Sequence, residues 1–261
     1  MADEIAAILQ TKNISFSLFT AYWPTVWDGF TEAWLVGGDG TVNFFINHYP
    51  AFQLPIALFV GGTGNDLHAM LYGKRTLAQQ IETFSNPHAK WIDAGVCNGQ
   101  LFLNGIGIGF DGAVVKRLAG QQKRKGKASY LFAILKQIFS YREQSCTLSY
   151  DGITLTKDCF MISVANGSRY GGGFQVAPKA SVTDGLIDVM LVEKVNTLTR
   201  LRYLPVIERG KHLHLPFIKY QQTKRVLIKS DAPLHAHRDG EYFSDTIFEI
   251  DVLEKRFAFL L

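Results

Sequence analysis

Two glycine-rich turns in tandem constrain this chain more than any other feature: Gly37-Gly38-Asp39-Gly40-Thr41-Val42-Asn43 and Gly61-Gly62-Thr63-Gly64-Asn65-Asp66. Each follows an apolar run, 33–36 and 56–60, and each opens into a run with helical spacing, 42–48 and 67–71. The pattern predicts two strand-loop-helix units side by side in a parallel α/β layer. Glycine lets the backbone turn tightly, so that amide N–H groups and the positive end of a helix can approach an anion. Phosphate is the expected anion, and the carboxylates of Asp39 and Asp66 are placed to reach Mg2+ beside it. One such loop reads equally well as an ordinary βα turn; two in succession favour a phosphate site.

The grammar changes along the chain. Up to residue 91 strand and helix alternate: a strand over 14–19, a short helix over 26–32, the two loops with their helices, and a helix over 77–84. From residue 92 strand patterns recur, over 101–106, 145–150, 153–156, 160–164, 186–192, 226–230 and 248–253, with Asp151-Gly152 as a tight hairpin signal. This predicts an α/β domain over 1–91 and a mainly antiparallel β domain over 92–251. Within the second, Leu131, Ile134, Leu135 and Ile138 have helical spacing and read as core.

With 261 residues and 47% hydrophobic content the chain can bury a large core, and no apolar run approaches the ~20 residues that span a bilayer. A formal charge of only +4 gives no field that calls for nucleic acid. Charge is concentrated locally, with six Lys or Arg and no acid from Lys116 to Lys127, a stretch suited to resting against anionic lipid heads. Cys97, Cys146 and Cys159 lack metal-ligand spacing, and Met1-Ala2-Asp3-Glu4 is acidic where a secretory signal is basic. Both predict a reduced, cytoplasmic setting, with any membrane contact peripheral and at the inner face. His212 with His214 and His235 with His237 alternate like solvated strand residues, and no zinc site is completed around them.

The motifs run on in order: Ile92-Asp93-Ala94-Gly95, Phe102-Leu103-Asn104-Gly105-Ile106-Gly107-Ile108-Gly109-Phe110-Asp111, Ala165-Asn166-Gly167-Ser168-Arg169-Tyr170-Gly171-Gly172-Gly173, Ala177-Pro178-Lys179-Ala180, Thr183-Asp184-Gly185-Leu186-Ile187-Asp188 and Arg238-Asp239-Gly240-Glu241. With the two glycine loops, this colinear set resembles the diacylglycerol kinase catalytic-domain superfamily, and within it the soluble bacterial lipid kinases, from about residue 14 to the end. The resemblance implies an N-terminal three-layer α/β nucleotide-binding domain of the NAD kinase type. It also implies a C-terminal antiparallel β-sandwich whose tail, about 252–261, returns to the first domain.

It further implies an ATP-dependent kinase acting on a lipid with a free hydroxyl, at a transient membrane contact. By the resemblance, Gly37, Gly38, Asp39, Gly40, Thr41, Val42 and Asn43 line the nucleotide, with Thr63 from the second loop and Thr20 after the preceding strand. Asp39 is the carboxylate that organises Mg2+-ATP, supported by Asp66 and Asp93, and Glu241 is the proton acceptor. A structural cation, Mg2+ or Ca2+, is implied on the Asp184 carboxylate and the main-chain carbonyls of Ser181 and Leu186. Gly171-Gly172-Gly173 reads as a conformational element.

The chain departs from the family at its start. Members begin with a strand ending in an Asn-Pro, Ser-Gly type turn ahead of the helix that here occupies 2–10, and the connection from Thr20 to Gly37 is short, with Trp23-Pro24 where a longer helix is expected. An open sheet edge is therefore expected, with self-association or weak ATP binding as its consequence. Two other readings stand beside lipid kinase: an NAD kinase-like small-molecule kinase, since such enzymes share the Gly-Gly-Asp-Gly loop, and a catalytically impaired nucleotide- or lipid-binding relic.

Overall fold

In a computed structural model of the chain, which describes residues 1–85, 88–119 and 127–261, the two glycine loops end parallel neighbours. Strand β1 (Ala33–Gly37) pairs with β2 (Ile56–Val60) from Ala33 opposite Ile56 to Gly37 opposite Val60. Helices α2 (Asp39–His48) and α3 (Asp66–Tyr72) spring directly from the loops. They start before the first apolar position because the opening turn is made of glycine and acid, which apolar spacing does not register. Helix α1 (Ala2–Thr11) buries Ile5 and Leu9. Helix α4 (Leu77–Ser85) follows a reciprocal cap, in which the Thr76 N–H reaches Gln79 Oε1 at 2.9 Å and the Gln79 N–H reaches Thr76 Oγ1 at 3.3 Å.

The remaining elements are β3 (Ala89–Cys97), β4 (Gln100–Phe102), β5 (Gly105–Gly109), α5 (Phe110–Ala119), α6 (Lys127–Ser140), β6 (Gln144–Tyr150), β7 (Ile153–Ala165), β8 (Ile187–Glu193), α7 (Thr197–Glu208), β9 (Ile218–Thr223), β10 (Arg225–Arg238) and β11 (Glu241–Leu260). Strand β11 joins the two halves. Its first part pairs antiparallel with β10, its second part antiparallel with β3, and Phe259 sits parallel to Ile56 of β2. The register shifts between Leu253 and Phe257, where Lys255 takes a φ of 49°. Beyond that bulge Phe257 and Phe259 are fully buried with Phe45, Phe59 and Ile92, so the end of the chain completes the core of the first half. A second core, around Phe102, Ile162 and Phe248, fills the space enclosed by the antiparallel strands.

Several sequence expectations change. Residues 14–19 form no strand: their alternation is right, yet a strand exists only through a hydrogen-bonding neighbour, and β1 pairs with β2 alone among the described residues. Residues 26–32 form no helix. Trp23 and Trp27 instead dock on α2, with ring centroids 5.5 Å and 6.0 Å from Phe45, and carry the chain across that helix in irregular backbone. The runs 153–156 and 160–164 fuse into the single strand β7, while 101–106 splits into β4 and β5 around a turn. The predicted hairpin stands, with Asp151 at φ 46° and Gly152 at φ 76° between β6 and β7. Of the spaced residues in α6, Ile134 and Ile138 are buried but Leu131 and Leu135 are exposed. Lys123, Arg124 and Lys125 of the basic run lie outside the described residues.

If the C-terminal end is part of the first core, Phe259→Ala should cost about 3–5 kcal/mol in urea unfolding. A loss below 1 kcal/mol would show the tail to be dispensable.

Candidate active site

The two glycine loops meet back to back at the C-terminal ends of β1 and β2, where ligands gather in a parallel sheet. A Cβ on Gly38 would lie 2.5 Å from the Gly64 carbonyl oxygen, and one on Gly62 would lie 2.7 Å from the Gly38 Cα, so only glycine fits at either place. The Asp39 N–H donates to the Gly64 carbonyl at 2.9 Å. The Asp39 side chain answers: Oδ2 accepts from the Asp66 N–H at 2.9 Å and Oδ1 from the Leu67 N–H at 3.0 Å. Asp39 therefore sits in the first turn of α2 and caps the first turn of α3.

Asp66 extends the linkage into the second half. Its Oδ1 accepts from Arg169 Nε at 3.2 Å and its Oδ2 from the Gly172 N–H at 2.9 Å. Gly171, Gly172 and Gly173 all have positive φ, in keeping with a conformational loop, and that conformation aims the Gly172 N–H at Asp66. Burial raises the Asp66 carboxyl above its ordinary range, and the charge of Asp39 raises it further. Asp39 is likewise raised, first by burial and also by the charge of Asp239, while the N–H groups of Asp66 and Leu67 pull it down. Three acids thus share a small, partly dry volume.

The turn between β10 and β11 is fastened from below. Asp239 Oδ1 accepts from the N–H groups of Asn104 and Gly105, each at 2.9 Å, and Oδ2 from the Leu103 N–H at 2.8 Å and Asn43 Nδ2 at 3.2 Å. Asp239 and Gly240 take φ of 47° and 90°, the geometry of a two-residue hairpin. The next residue, Glu241, then stands over the first loop, its Oε1 3.5 Å from where a Cβ on Gly40 would lie. Behind the turn, His237 Nε2 lies 3.0 Å from Asp111 Oδ2, and its Nδ1 accepts from the Gly240 N–H at 3.3 Å. Gly107 leaves the room for that pair, since a Cβ there would fall 2.4 Å from Asp111 Oδ2.

The structure thus brings together Gly37, Gly38, Asp39, Gly40, Thr41, Asp66 and Glu241. Val42 is in the core, and the amide of Asn43 reaches Asp239 and the Leu101 carbonyl rather than open space. Thr63 is exposed on the second loop, and Thr20 is exposed in the irregular segment before β1. Asp93 is engaged elsewhere: its oxygens accept the N–H groups of Gly185 at 2.8 Å and Lys255 at 2.7 Å, bracing the loop that holds Ser181, Asp184 and Leu186. In that loop Asp184 Oδ1 accepts the Leu186 N–H at 3.1 Å. Among the described residues no group of three or more His, Cys, Asp or Glu clusters as metal ligands. His212 and His237 are buried, not solvated, because the alternation they share with their partners says nothing about which face is covered. Asn104, Arg169 and Asp239 stand in the colinear motifs without an assigned role, and the Asp-Gly dipeptide was the available signal for the last.

Against this geometry stand the likenesses to known proteins. The description "Diacylglycerol kinase catalytic domain" matches residues 29–97, and "YegS C-terminal NAD kinase beta sandwich-like domain" matches residues 104–257. The chain belongs to the YegS-like diacylglycerol kinase family. It is 28% identical to a diacylglycerol kinase of Bacillus subtilis over 210 residues, 79% of this chain and 69% of that one. It is 27% identical to a diacylglycerol kinase of Mycobacterium tuberculosis over 224 residues, 81% and 71% of the two chains. In fold it is similar to a diacylglycerol kinase of Bacillus anthracis, with TM-score 0.67, 22% identity and 88% and 76% of the two chains covered. An NAD kinase of Archaeoglobus fulgidus solved in complex with ATP has TM-score 0.55 and 16% identity over 99% and 88%. The α/β half and the β-sandwich half are those of this family, and this YegS-like chain is a kinase by membership.

The acid cluster gives a signed expectation. Asp66 is raised in the folded state, so the folded protein binds protons more readily than the unfolded chain does. The stability tied to that group is complete below about pH 4 and is lost as pH rises through the raised value. In thermal melts from pH 4 to pH 7 the Tm of Asp66→Asn should therefore gain on that of wild type as pH rises; a constant gap would show that folding does not raise the Asp66 carboxyl.

Proposed function

We propose that this chain transfers the γ-phosphoryl group of ATP to the free hydroxyl of a diacylglycerol-like lipid, with Asp39 and Glu241 as catalytic residues. The observation that carries the reading is the position of Glu241, a carboxylate over the N-terminal turn of α2 at a loop built for phosphate. Phosphoryl transfer asks for positioning and charge neutralisation, with a base to receive the acceptor proton. Gly37, Gly38, Gly40 and Thr41 form the cradle, Thr63 and Thr20 line the nucleotide from the neighbouring segments, and Val42 and Asn43 hold α2 in place. Asp39 and Asp66, the two carboxylates fixed at the ends of the glycine loops, are the residues that would hold Mg2+. Bound there, Mg2+ supplies neutralisation of the phosphate charge. Glu241 takes the proton of the lipid hydroxyl as the oxygen approaches the phosphorus.

The acceptor is assigned to a lipid because of an apolar cavity beside the site. Phe110, Ile134, Ile138, Phe160, Val192 and Phe217 line it, and its wall also includes Asp111, Tyr170 and Gly171, whose neighbours His237 and Gly172 belong to the site. Such a wall has few groups for a nucleotide acceptor, and at about 60 Å³ the cavity has room for a short stretch of an acyl chain. The fold shared with an NAD kinase is what supports the second reading, a small-molecule kinase. We assign 1–91 with about 252–261 to nucleotide binding and 92–251 to the lipid, working at the inner face of a membrane without nucleic acid. The open edge of β1 is a surface through which copies would associate.

A separate cation, Mg2+ or Ca2+, is proposed on Asp184 with the carbonyls of Ser181 and Leu186. The Asx-type bond from Asp184 to the Leu186 N–H curls this loop as such a site needs.

A lipid phosphorylation assay with ATP titration tests the division of roles. Asp39→Asn should abolish activity and weaken ATP binding, whereas Glu241→Gln should keep ATP binding and slow turnover by about 10²–10⁴-fold. Equal loss of ATP affinity in both variants would refute it. For the second site, wild type should melt higher in Mg2+ or Ca2+ than in chelator, and Asp184→Ala should lose most of that difference; an unchanged response would move the cation elsewhere.

A further inference from the structure

We infer that α6 docks this kinase on an anionic lipid bilayer, one face of the helix walling the apolar cavity and the adjoining exposed face entering the headgroup layer. The inference rests on the lipid-kinase reading above and deepens it by naming the surface that meets the membrane. Ile134 and Ile138 point inward and line the cavity. Beside them around the helix Leu131, Phe132, Leu135 and Phe139 are 46%, 63%, 38% and 65% exposed. At 100° per residue these four fall within an arc of about 100°. A surface helix normally covers that arc with polar side chains, so α6 is apolar on two adjoining sides, and the described residues leave one of them largely uncovered. Leu198, in the first turn of α7 packed beside α6, is 78% exposed, next to the cavity residues Thr199 and Arg200.

Charge selects the occupant. Helix α6 contains no Asp or Glu. The next residue around the helix from the apolar arc is Lys136, Arg142 follows α6, and Arg202 is one turn on from Leu198; all three are exposed. The closest acid in sequence, Glu143, is buried in an ion pair with Arg200 at 2.5 Å and is absent from this surface. Exposed phenylalanines with Lys136 at the edge of their arc match the boundary of an anionic bilayer, where rings enter the acyl layer and cations stay with the phosphates. A second protein could cover the same rings, but the cavity behind them takes a ligand that resides in the membrane, so a bilayer accounts for both faces of the helix together. No helix among the described residues is long and apolar enough to cross a membrane, so this contact is made along the surface.

Sedimentation of the full chain with vesicles of phosphatidylcholine, with and without phosphatidylglycerol, tests the inference. Wild type should bind the phosphatidylglycerol vesicles, more weakly as salt rises. The double variant Phe132→Ser/Phe139→Ser should bind them about ten-fold or more weakly. Its activity on a water-soluble short-chain diacylglycerol should match wild type, because neither ring lines the cavity. Unchanged vesicle binding in the double variant would overturn the proposal. So would equal wild-type binding to both vesicle types, or a wild-type dimer in light scattering that the variant converts to monomer, which would make this face an interface between copies. Loss of vesicle binding by the variant, with no lipid phosphorylated even by wild type, would uphold the docking face and refute the kinase reading separately.

Discussion

The carboxylate of Asp239 is the knot on which this architecture depends. It accepts three backbone N–H groups from 103–105 and one side-chain amide from α2, and so holds the β10–β11 turn, the entry to β5 and α2 in one place. Burying a carboxylate costs several kcal/mol unless its oxygens are satisfied. Burial does raise the Asp239 carboxyl, and the four donors are what oppose that rise. Glu241 is two residues away. Its position over Gly40 follows from a turn that is fixed from beneath, while the Glu241 carboxylate itself is left facing solvent.

Strand β11 then converts a local fixture into a global one. It leaves the turn paired with β10, crosses to β3, and finishes with Phe257 and Phe259 in the core of the α/β half. A displacement of either half relative to the other must break this strand or move its bulge at Leu253 to Phe257. The Asp66 carboxylate adds a smaller tie across the same boundary, to the Arg169–Gly172 segment, and the Asp39 carboxylate ties the two glycine loops together within the first half. Phosphoryl transfer with little covalent participation by the protein depends on such fixity, since small errors in placement forfeit most of the rate.

How much was legible in the sequence depended on the range of the interaction. Loop chemistry was plain: glycines at 37–40 and 61–64 mark close backbone approach, and Asp151-Gly152 marks a hairpin, because each follows from local steric rules. Partnership was not. Residues 14–19 alternate like a strand but have no strand beside them, and β7 reads as two short runs because its exposed middle, around Lys157 and Asp158, interrupts the apolar pattern without interrupting pairing. Among the site residues, Asp39 and Glu241 were visible through their turns. The pairing of His237 with Asp111 joins residues 126 apart in sequence, and nothing in the spacing of either residue announces the other.

That pairing also bears on how substitutions at this site are to be read. His237 holds the Gly240 N–H with one ring nitrogen and Asp111 with the other, and Asp111 borders the apolar cavity. The polar end of the cavity and the turn carrying Glu241 are therefore two bonds of one network, with Tyr170 against the same imidazole at a ring separation of 5.3 Å. A change at His237 therefore reaches the turn beneath Glu241 through the Gly240 N–H, while a change at Asp111 reaches both that imidazole and the cavity wall. Glu241 differs in kind: it has the one carboxylate of this group that stands over the phosphate loop, and removing its charge leaves the turn beneath it intact.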